Sequence, residues 1–190
     1  MILQPSGRLN LRKTRILLVD DNPHSLDLVL QVLLGFRVPQ PRCCASAEES
    51  RGLLEFESFD LILADCEMPN EDGLSLTRYV RSRRDQLNFT APIVLMSGST
   101  SFQRISAARD AGANMVVRKP ISPGVLMDRI LWLARVSRPF ITSDAYCGPD
   151  RRFKSHILPP GVEERRAEAL ALTASPERAL SQTEVDSLFG

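Results

Sequence analysis

The stretch ILLVDDN, residues 16–22, decides the fold. Its four leading apolar residues show no polar alternation, which is typical of a strand buried on both faces of a parallel sheet. Similar runs follow along the chain, and segments with helical spacing separate them. Alternating strands and helices predict an α/β fold with a doubly wound, five-stranded parallel sheet. We predict strands at residues 16–19, 42–45, 61–64, 93–96 and 115–117, and helices at residues 23–34, 47–56, 74–83, 101–111 and 122–136.

The composition is that of an ordinary folded protein. The chain has 190 residues, of which 43% are hydrophobic, and a formal net charge of +1. This length accommodates one domain with an appendage, or two very small domains. No run approaches the roughly 18 apolar residues of a membrane span, and the N-terminus lacks the order of a secretory signal. Four cysteines without metal-ligand spacing indicate neither a zinc site nor a disulfide framework. We therefore expect a cytoplasmic protein with reduced thiols.

Polar and charged residues collect where the predicted strands end. The first strand is followed by Asp20 and Asp21, the third by Asp65, the fourth by Ser97, and the fifth leads to Lys119. In a doubly wound sheet these ends meet at one edge. Three carboxylates repel one another unless a cation joins them, and oxygen ligands favour Mg²⁺. A hydroxyl and an ammonium group beside them suit a phosphoryl group. Taken singly, the first two aspartates could be helix N-caps and the lysine a solvated loop residue.

Four motifs resemble, in their order and spacing, those of CheY-like receiver domains of two-component signalling. They are ILLVDDN, DLILADCEMPNEDG, PIVLMSGS and VVRKP, and the resemblance spans residues 15–136. It implies a flavodoxin-like receiver fold and a domain that takes a phosphoryl group from a phosphohistidine and then hydrolyses the product. A histidine kinase is therefore an implied partner. A carboxylate nucleophile suits this chemistry, because an acyl phosphate divides the transfer into two easier steps.

The same resemblance assigns a role to each polar residue at the strand ends. Asp65 would be the phospho-acceptor, Ser97 the switch hydroxyl, and Lys119 the phosphate contact before a cis Pro120. The implied Mg²⁺ ligands are Asp20, Asp21, Asp65 and the main-chain carbonyl of Glu67.

Two residues depart from the usual receiver pattern. Many receivers carry Tyr or Phe three residues before the lysine, whereas this chain has Val116. Glu67, two residues after Asp65, adds another acidic side chain near the site. Phosphorylation stays chemically feasible, but the aromatic coupling of a conventional phospho-switch is absent.

The alternation of strands and helices stops at Pro139. We predict a receiver domain at residues 15–138, an N-terminal extension at residues 1–14 and a C-terminal extension at residues 139–190. Prolines and glycines between residues 139 and 162 leave no room for a long helix or strand, so the extension is expected to be largely irregular, with room for short helices. It is too short for a DNA-binding helix-turn-helix module, and we expect it to be largely disordered without a ligand.

The segment YCGPDRRFKSH, residues 146–156, carries groups that can bind a guanine nucleotide. Arginine can stack on a base and donate two hydrogen bonds to guanine O6 and N7. Aspartate can accept from the N1–H and N2–H edge of guanine, and aromatic rings offer stacking faces. A solvated charged tail accounts for the same composition, so the residues alone leave both interpretations open.

A receiver followed by an arginine-rich extension with a GPDRR core resembles the Cle group of CheY-like proteins. That resemblance implies binding of cyclic di-GMP through the extension and action on the flagellar motor. Ordering the extension costs free energy, and the many contacts of a self-stacked dimer of the nucleotide would offset this cost. The implied leading contacts are Tyr146, Asp150, Arg151 and Arg152. The second set of contacts comprises Arg138, Phe153, Lys154, Arg165 and Arg166.

The final segment LSQTEVDSLF, residues 180–189, has two interpretations. Ser181 and Glu184 have the spacing of a capping box that starts a short terminal helix. The segment also resembles the N-terminal peptide of the flagellar switch protein FliM, which docks on CheY. In that case the segment would occupy the motor-binding face of its own receiver, or of a second copy, and compete with the motor.

Three functions are compatible with these features. The first is a cytoplasmic adaptor, recruited to the flagellated pole, that binds cyclic di-GMP and then the flagellar switch. The second is a phosphorylation-dependent regulator with an extension that binds nothing. The third, a phosphohydrolase that uses Asp65, is the least favoured, because the remaining site residues match receivers. We therefore expect no enzyme activity beyond the receiver's own phosphorylation and dephosphorylation.

Overall fold

The computed structural model describes residues 2–3, 9–136, 138–151 and 180–189. In these parts of the chain, no helix combines the length and the apolar character needed to cross a bilayer. Two short antiparallel strands, β1 (Ile2–Leu3) and β2 (Leu9–Asn10), pair ahead of the main sheet.

Five parallel strands form the central sheet. They are β3 (Ile16–Val19), β4 (Arg42–Cys44), β5 (Leu61–Asp65), β6 (Ile93–Ser97) and β7 (Met115–Arg118). Their order across the sheet is β4-β3-β5-β6-β7, so β4 and β7 are the edge strands. Every residue of β3, β5 and β6 is buried, as expected for strands covered on both faces. The predicted doubly wound parallel sheet is therefore confirmed.

A polar residue starts each helix that follows a strand of this sheet. The side chains of Asn22, Ser46, Asp72, Ser101 and Ser122 accept hydrogen bonds from main-chain N–H groups of the first turn. Such caps satisfy donors that have no partner inside the helix. The helices are α1 (Pro23–Gly35), α2 (Ala47–Phe56), α3 (Gly73–Ser82), α4 (Phe102–Ala111) and α5 (Pro123–Arg135).

The sheet separates two hydrophobic cores. Val29 of α1 and Ile130 of α5 pack in one core. Leu54 of α2, Leu76 of α3 and Ile105 of α4 pack in the other. Burial of these side chains on both faces of the sheet is the main stabilising contribution, because apolar area leaves water on each side. The arrangement fixes the carboxyl ends of the strands as one rigid edge.

Residues 140–149 form a β-hairpin, which the sequence did not predict. Strands β8 (Phe140–Thr142) and β9 (Cys147–Pro149) pair antiparallel. The strands are only three residues long, and their β signal is hidden among turn-forming residues. The structure thus differs from the expectation of a disordered extension over residues 139–151.

Two glycines let the hairpin approach the receiver backbone. Gly112 ends α4 with φ of 96°, and a Cβ there would lie 2.4 Å from the carbonyl oxygen of Cys147. A Cβ on Gly148 would lie 2.7 Å from Gly112 Cα. The side chain of Arg81 also holds this region, since it donates to the carbonyl of Gly112 and lies 5.2 Å from the centroid of the Phe140 ring. The hairpin is therefore part of the packed fold.

Residues 182–189 form a terminal helix, α6 (Gln182–Phe189). Ser181 N–H donates to Glu184 Oε2 at 2.7 Å, and Glu184 N–H donates to Ser181 Oγ at 3.3 Å. These reciprocal bonds are a capping box, so the predicted start of the helix is confirmed. Val185 and Phe189 are buried in the same core as α3 and α4.

Candidate functional site

Three carboxylates meet at the carboxyl end of the sheet. Asp20 and Asp21 follow β3, and Asp65 ends β5; one oxygen atom from each lies within 4.8 Å of the others. Asp20 and Asp65 are buried, and Asp21 is nearer to solvent. The chain winds in opposite directions from the neighbouring strands β3 and β5, which is where doubly wound sheets bind their ligands.

Lys119 joins two of these carboxylates. Its Nζ lies 2.8 Å from Asp20 Oδ2 and 3.0 Å from Asp65 Oδ2. Burial raises the pKa of Asp65, although the hydrogen bond from Lys119 opposes this effect. Burial acts to lower the pKa of Lys119, but its hydrogen bonds to the two carboxylates outweigh burial and raise it. The ammonium group therefore offsets part of the repulsion between the carboxylates.

The three carboxylates fit a magnesium ion. Asp65 Oδ1 is buried and has no hydrogen-bond partner among the described residues. A buried carboxylate oxygen without a partner is costly, and a cation would satisfy it. Asp20, Asp21 and Asp65 would hold the ion through the oxygen ligands that Mg²⁺ prefers. Bound there, Mg²⁺ would neutralise charge on a phosphoryl group. The Glu67 carbonyl stays a predicted further ligand.

Ser97 lies next to a carboxylate from outside this cluster. Its hydroxyl donates to the carbonyl of Ser99 at 2.7 Å and is 3.3 Å from Glu67 Oε1. Glu67 forms an ion pair with Arg104 of α4. The sequence revealed Glu67 but not Arg104, because an ion pair across 37 positions leaves no local signal. Glu67 thus places a paired negative charge beside the predicted switch hydroxyl.

One feature of the main chain beside Lys119 agrees with the receiver resemblance. The Lys119–Pro120 peptide bond is cis, as the receiver resemblance implied. Val116 stands on β7 three residues before the lysine and is fully enclosed. A small apolar side chain therefore occupies the position where the receiver resemblance suggested that an aromatic one is common.

The sequence of the domain matches a known family. Residues 16–131 match the family described as the response regulator receiver domain. This chain belongs to that family. It is 31% identical over 127 residues to the response regulator protein PilR of Pseudomonas aeruginosa. The aligned region covers 67% of this chain and 27% of PilR. The chain is 32% identical over 119 residues to the CAI-1 autoinducer sensor kinase/phosphatase CqsS of Vibrio cholerae, covering 61% of this chain and 17% of CqsS. The chain thus spans less than a third of the length of these relatives.

Solved receiver structures share the fold. Chemotaxis response regulator CheY4 of Vibrio cholerae superposes with a TM-score of 0.56 and 25% identity, covering 62% of this chain and 95% of CheY4. The receiver domain of histidine kinase CKI1 from Arabidopsis thaliana, solved with Mg²⁺ and BeF₃⁻, superposes with a TM-score of 0.57 and 26% identity. This match covers 64% of this chain and 91% of the CKI1 domain. Receiver domains bind Mg²⁺ at such an acidic cluster, interact with histidine kinases, and serve as signalling modules in two-component systems.

The hairpin brings together four of the predicted nucleotide contacts. The Arg151 guanidinium lies 4.1 Å from the centroid of the Tyr146 ring and forms an ion pair with Asp110 of α4. Arg138 donates to the carbonyl oxygen of Asp150. The other predicted contacts lie outside the described residues: Arg152, Phe153, Lys154, Arg165 and Arg166.

The terminal helix α6 covers the edge strand β7. Gln182 Nε2 donates to the carbonyl of Val116 at 3.0 Å, and the N–H of Arg118 donates to Gln182 Oε1. The side chain of Gln182 thus pairs with the open edge as a neighbouring strand would. Asp186 forms a buried ion pair with Arg129 of α5. The segment therefore docks on the face formed by α4, β7 and α5 of its own receiver.

Proposed function

We propose that this receiver is a cyclic di-GMP effector that acts on the flagellar motor. In this proposal the arginine-rich extension binds the nucleotide, and the receiver body then binds a switch protein of the FliM type to control motility. The observation that carries the proposal is the stack of Arg151 on Tyr146, held on the receiver surface by the ion pair with Asp110.

A ring with a guanidinium on one face is a natural element of a purine site. The ring or the planar cation can stack on a base, and arginine can also donate two parallel hydrogen bonds to guanine. Arg152 follows Arg151 directly in the sequence and adds a second fork. Adjacent arginines favour a ligand with several bases and phosphates, which is the chemistry of cyclic di-GMP or its stacked dimer.

The terminal segment extends the proposal to the motor. Residues 180–189 resemble the motor peptide, and they dock on the α4, β7 and α5 face of the receiver. A motor peptide that uses the same face would compete with α6. Truncation after Ser175 should therefore strengthen binding of a FliM-type peptide to the receiver, and an unchanged affinity would argue against competition.

Regulation by phosphorylation is a second candidate function. The carboxylate cluster with Lys119 and the match to the receiver family favour it. Here Asp65 would accept a phosphoryl group from a histidine kinase with Mg²⁺ bound. The two functions can coexist, because the acidic cluster and the hairpin are separate places on the receiver. Asp65→Asn should abolish output in the second function alone.

Calorimetric titration of cyclic di-GMP into the full chain tests the first proposal. We expect tight binding, no comparable binding of GTP, and loss of binding when Arg151 and Arg152 are both replaced by alanine. Equal heats for the two nucleotides, or unchanged binding by the double variant, would leave the phosphorylation-dependent regulator as the better account.

A further inference from the structure

The hairpin lies in a concentration of arginines that includes residues of the receiver itself. Four guanidinium groups act electrostatically on the Tyr146 hydroxyl: those of Arg151, Arg138, Arg81 and Arg109. Arg81 belongs to α3 and Arg109 to α4, so two of the four come from receiver helices. Neither was singled out from the sequence, because their proximity to the hairpin depends on its docked position.

These arginines have different degrees of internal pairing. Arg81 is extensively paired inside the receiver, since its guanidinium group donates hydrogen bonds to the carbonyls of Gly112, Phe89 and Ala91. Arg109 donates one long bond, 3.4 Å, to the carbonyl of Arg151 and forms no ion pair among the described residues. Among the described residues, Arg109 is therefore a cation with donor capacity to spare.

Arg138 is also incompletely satisfied. Its Nε is buried and has no hydrogen-bond partner in the described parts of the chain. Burial lowers the pKa of both Arg138 and Arg109, which means that these cations are held where water solvates them poorly. Arg138 also lines a cavity of about 370 Å³ beside the hairpin, together with Asn114 and Thr90. Open space therefore adjoins Arg138.

Among the described residues of the cluster, positive charges outnumber negative ones. The carboxylates that act on its arginines are those of Asp110, which is paired with Arg151, and Asp150. Among the described residues, four guanidinium groups thus lie near two carboxylates. Holding excess like charge in a partly dry place is costly unless an anion compensates it. A cyclic dinucleotide carries two phosphodiester charges, which would offset positive charge of this kind.

We propose that Arg109 of α4 is a ligand contact, so that the receiver body and the extension form one composite site for the phosphates of cyclic di-GMP. This inference rests on the proposed function and adds a residue outside the extension to its site. Arg109 and Arg138 hold the phosphates, while Arg151 and Tyr146 provide the stacking surface. The nucleotide then joins the hairpin to α4, which also carries Arg104, the ion-pair partner of Glu67.

The test compares full-length variants by calorimetry with cyclic di-GMP. Arg109→Ala should weaken binding about tenfold or more, the effect of losing one charge-assisted contact, and Arg109→Lys should fall between it and wild type. The matched control is Arg78→Ala, which removes an exposed arginine of the neighbouring helix α3. The control should bind within about twofold of wild type. Thermal unfolding without ligand checks that each variant is folded.

A measurement on the wild-type chain covers the case in which Arg109→Ala loosens the hairpin. The side-chain Nε–H resonance of Arg109 should shift when cyclic di-GMP is added, and that of Arg78 should not. One set of results overturns the composite site and leaves the proposed function standing. In that case the wild-type chain binds and Arg151→Ala weakens binding. Arg109→Ala, however, binds as Arg78→Ala does, and the Arg109 resonance does not move. If the wild-type chain does not bind the nucleotide at all, the proposed function fails and this inference fails with it.

Discussion

Replacing Phe189 by alanine should release the terminal helix from the receiver. Phe189 is 2% exposed and packs with fully buried Val185 in the core shared with α4. Truncation of a buried Phe to Ala costs about 3–5 kcal/mol. We expect the lower end, about 3 kcal/mol, because α6 lies at the edge of the core and the gap can collapse or admit water.

The size of this loss of stability determines how often the terminal helix is undocked from the receiver. An isolated helix of eight residues is not stable in water, so α6 unfolds when it undocks. A loss of about 3 kcal/mol raises the equilibrium constant for undocking by roughly 100-fold. The ion pair of Asp186 and the hydrogen bonds of Gln182 remain in the variant, but neither can form without the docked helix.

Hydrogen exchange measures this release at the contact itself. The N–H of Arg118 donates to Gln182 Oε1, and the N–H of Leu180 donates to the carbonyl of Thr100 at 2.7 Å. Both amides should exchange about 100-fold faster in Phe189→Ala, in proportion to the open fraction. The amide of Ile62, in the central strand β5, should not change.

Phe56→Ala is the matched control for this experiment. Phe56 ends α2 and is 85% exposed, so the same substitution removes little buried area. Exchange at Arg118 and Leu180 should then equal that of the wild-type chain. If Phe189→Ala also left both rates unchanged, the contacts of α6 would not hold the segment on the receiver, and the reasoning about competition would lose its basis.

Three further predictions follow from the buried contacts. Gly148→Val should destabilise the docked hairpin by about 1–3 kcal/mol, because a Cβ there collides with Gly112. Faster proteolysis near residue 145 would report this loss. A variant that resists proteolysis as well as the wild-type chain would contradict the close approach. Burial raises the pKa of Cys44 to about 12, so its thiol stays protonated at pH 8. A maleimide should therefore modify partly buried Cys147 before Cys44, as mass spectrometry would show, and equal rates at these two cysteines would refute this. Asp65→Asn should weaken Mg²⁺ binding at least about tenfold by calorimetry, and unchanged affinity would remove that residue from the metal site.

The central fold was predictable because each local signal agrees with the global one. The run at residues 16–19 is apolar throughout, and it forms a strand buried on both faces. A cap such as Asn22 marks the start of the next helix. Each predicted strand and helix of the receiver has ends within about one residue of the observed ones, a normal variation of assignment. Asp20 and Asp65 meet because parallel strands bring their carboxyl ends together.

The hairpin was not predictable in the same way. Its strands are short and contain Gly148 and Pro149, which suggest a turn when taken alone. What stabilises them is tertiary: close approach to Gly112 and the contact of Arg81 with Phe140. The charge of Arg109 was visible in the sequence, but its position beside Tyr146 depends on the docked hairpin. Contacts between distant segments of this kind leave no periodic signal.

The terminal segment was predictable only in part. The spacing of Ser181 and Glu184 predicted a helix start, and the helix begins there. The apolar spacing of Val185 and Phe189 agrees with one buried face. Its position on β7 was not predicted, because nothing local specifies the partner of Asp186. The resemblance to a motor peptide suggested only the motor-binding face of a receiver, and that stays a prediction.

The most direct test of the proposed function measures the receiver and the motor peptide together. A FliM-type N-terminal peptide is titrated into the full chain with and without saturating cyclic di-GMP, with the Arg151/Arg152 double alanine variant as the control. The account predicts that the nucleotide tightens peptide binding in the wild-type chain and has no effect in the variant. Equal peptide affinity with and without bound nucleotide would contradict the claim that cyclic di-GMP controls how this receiver engages the motor.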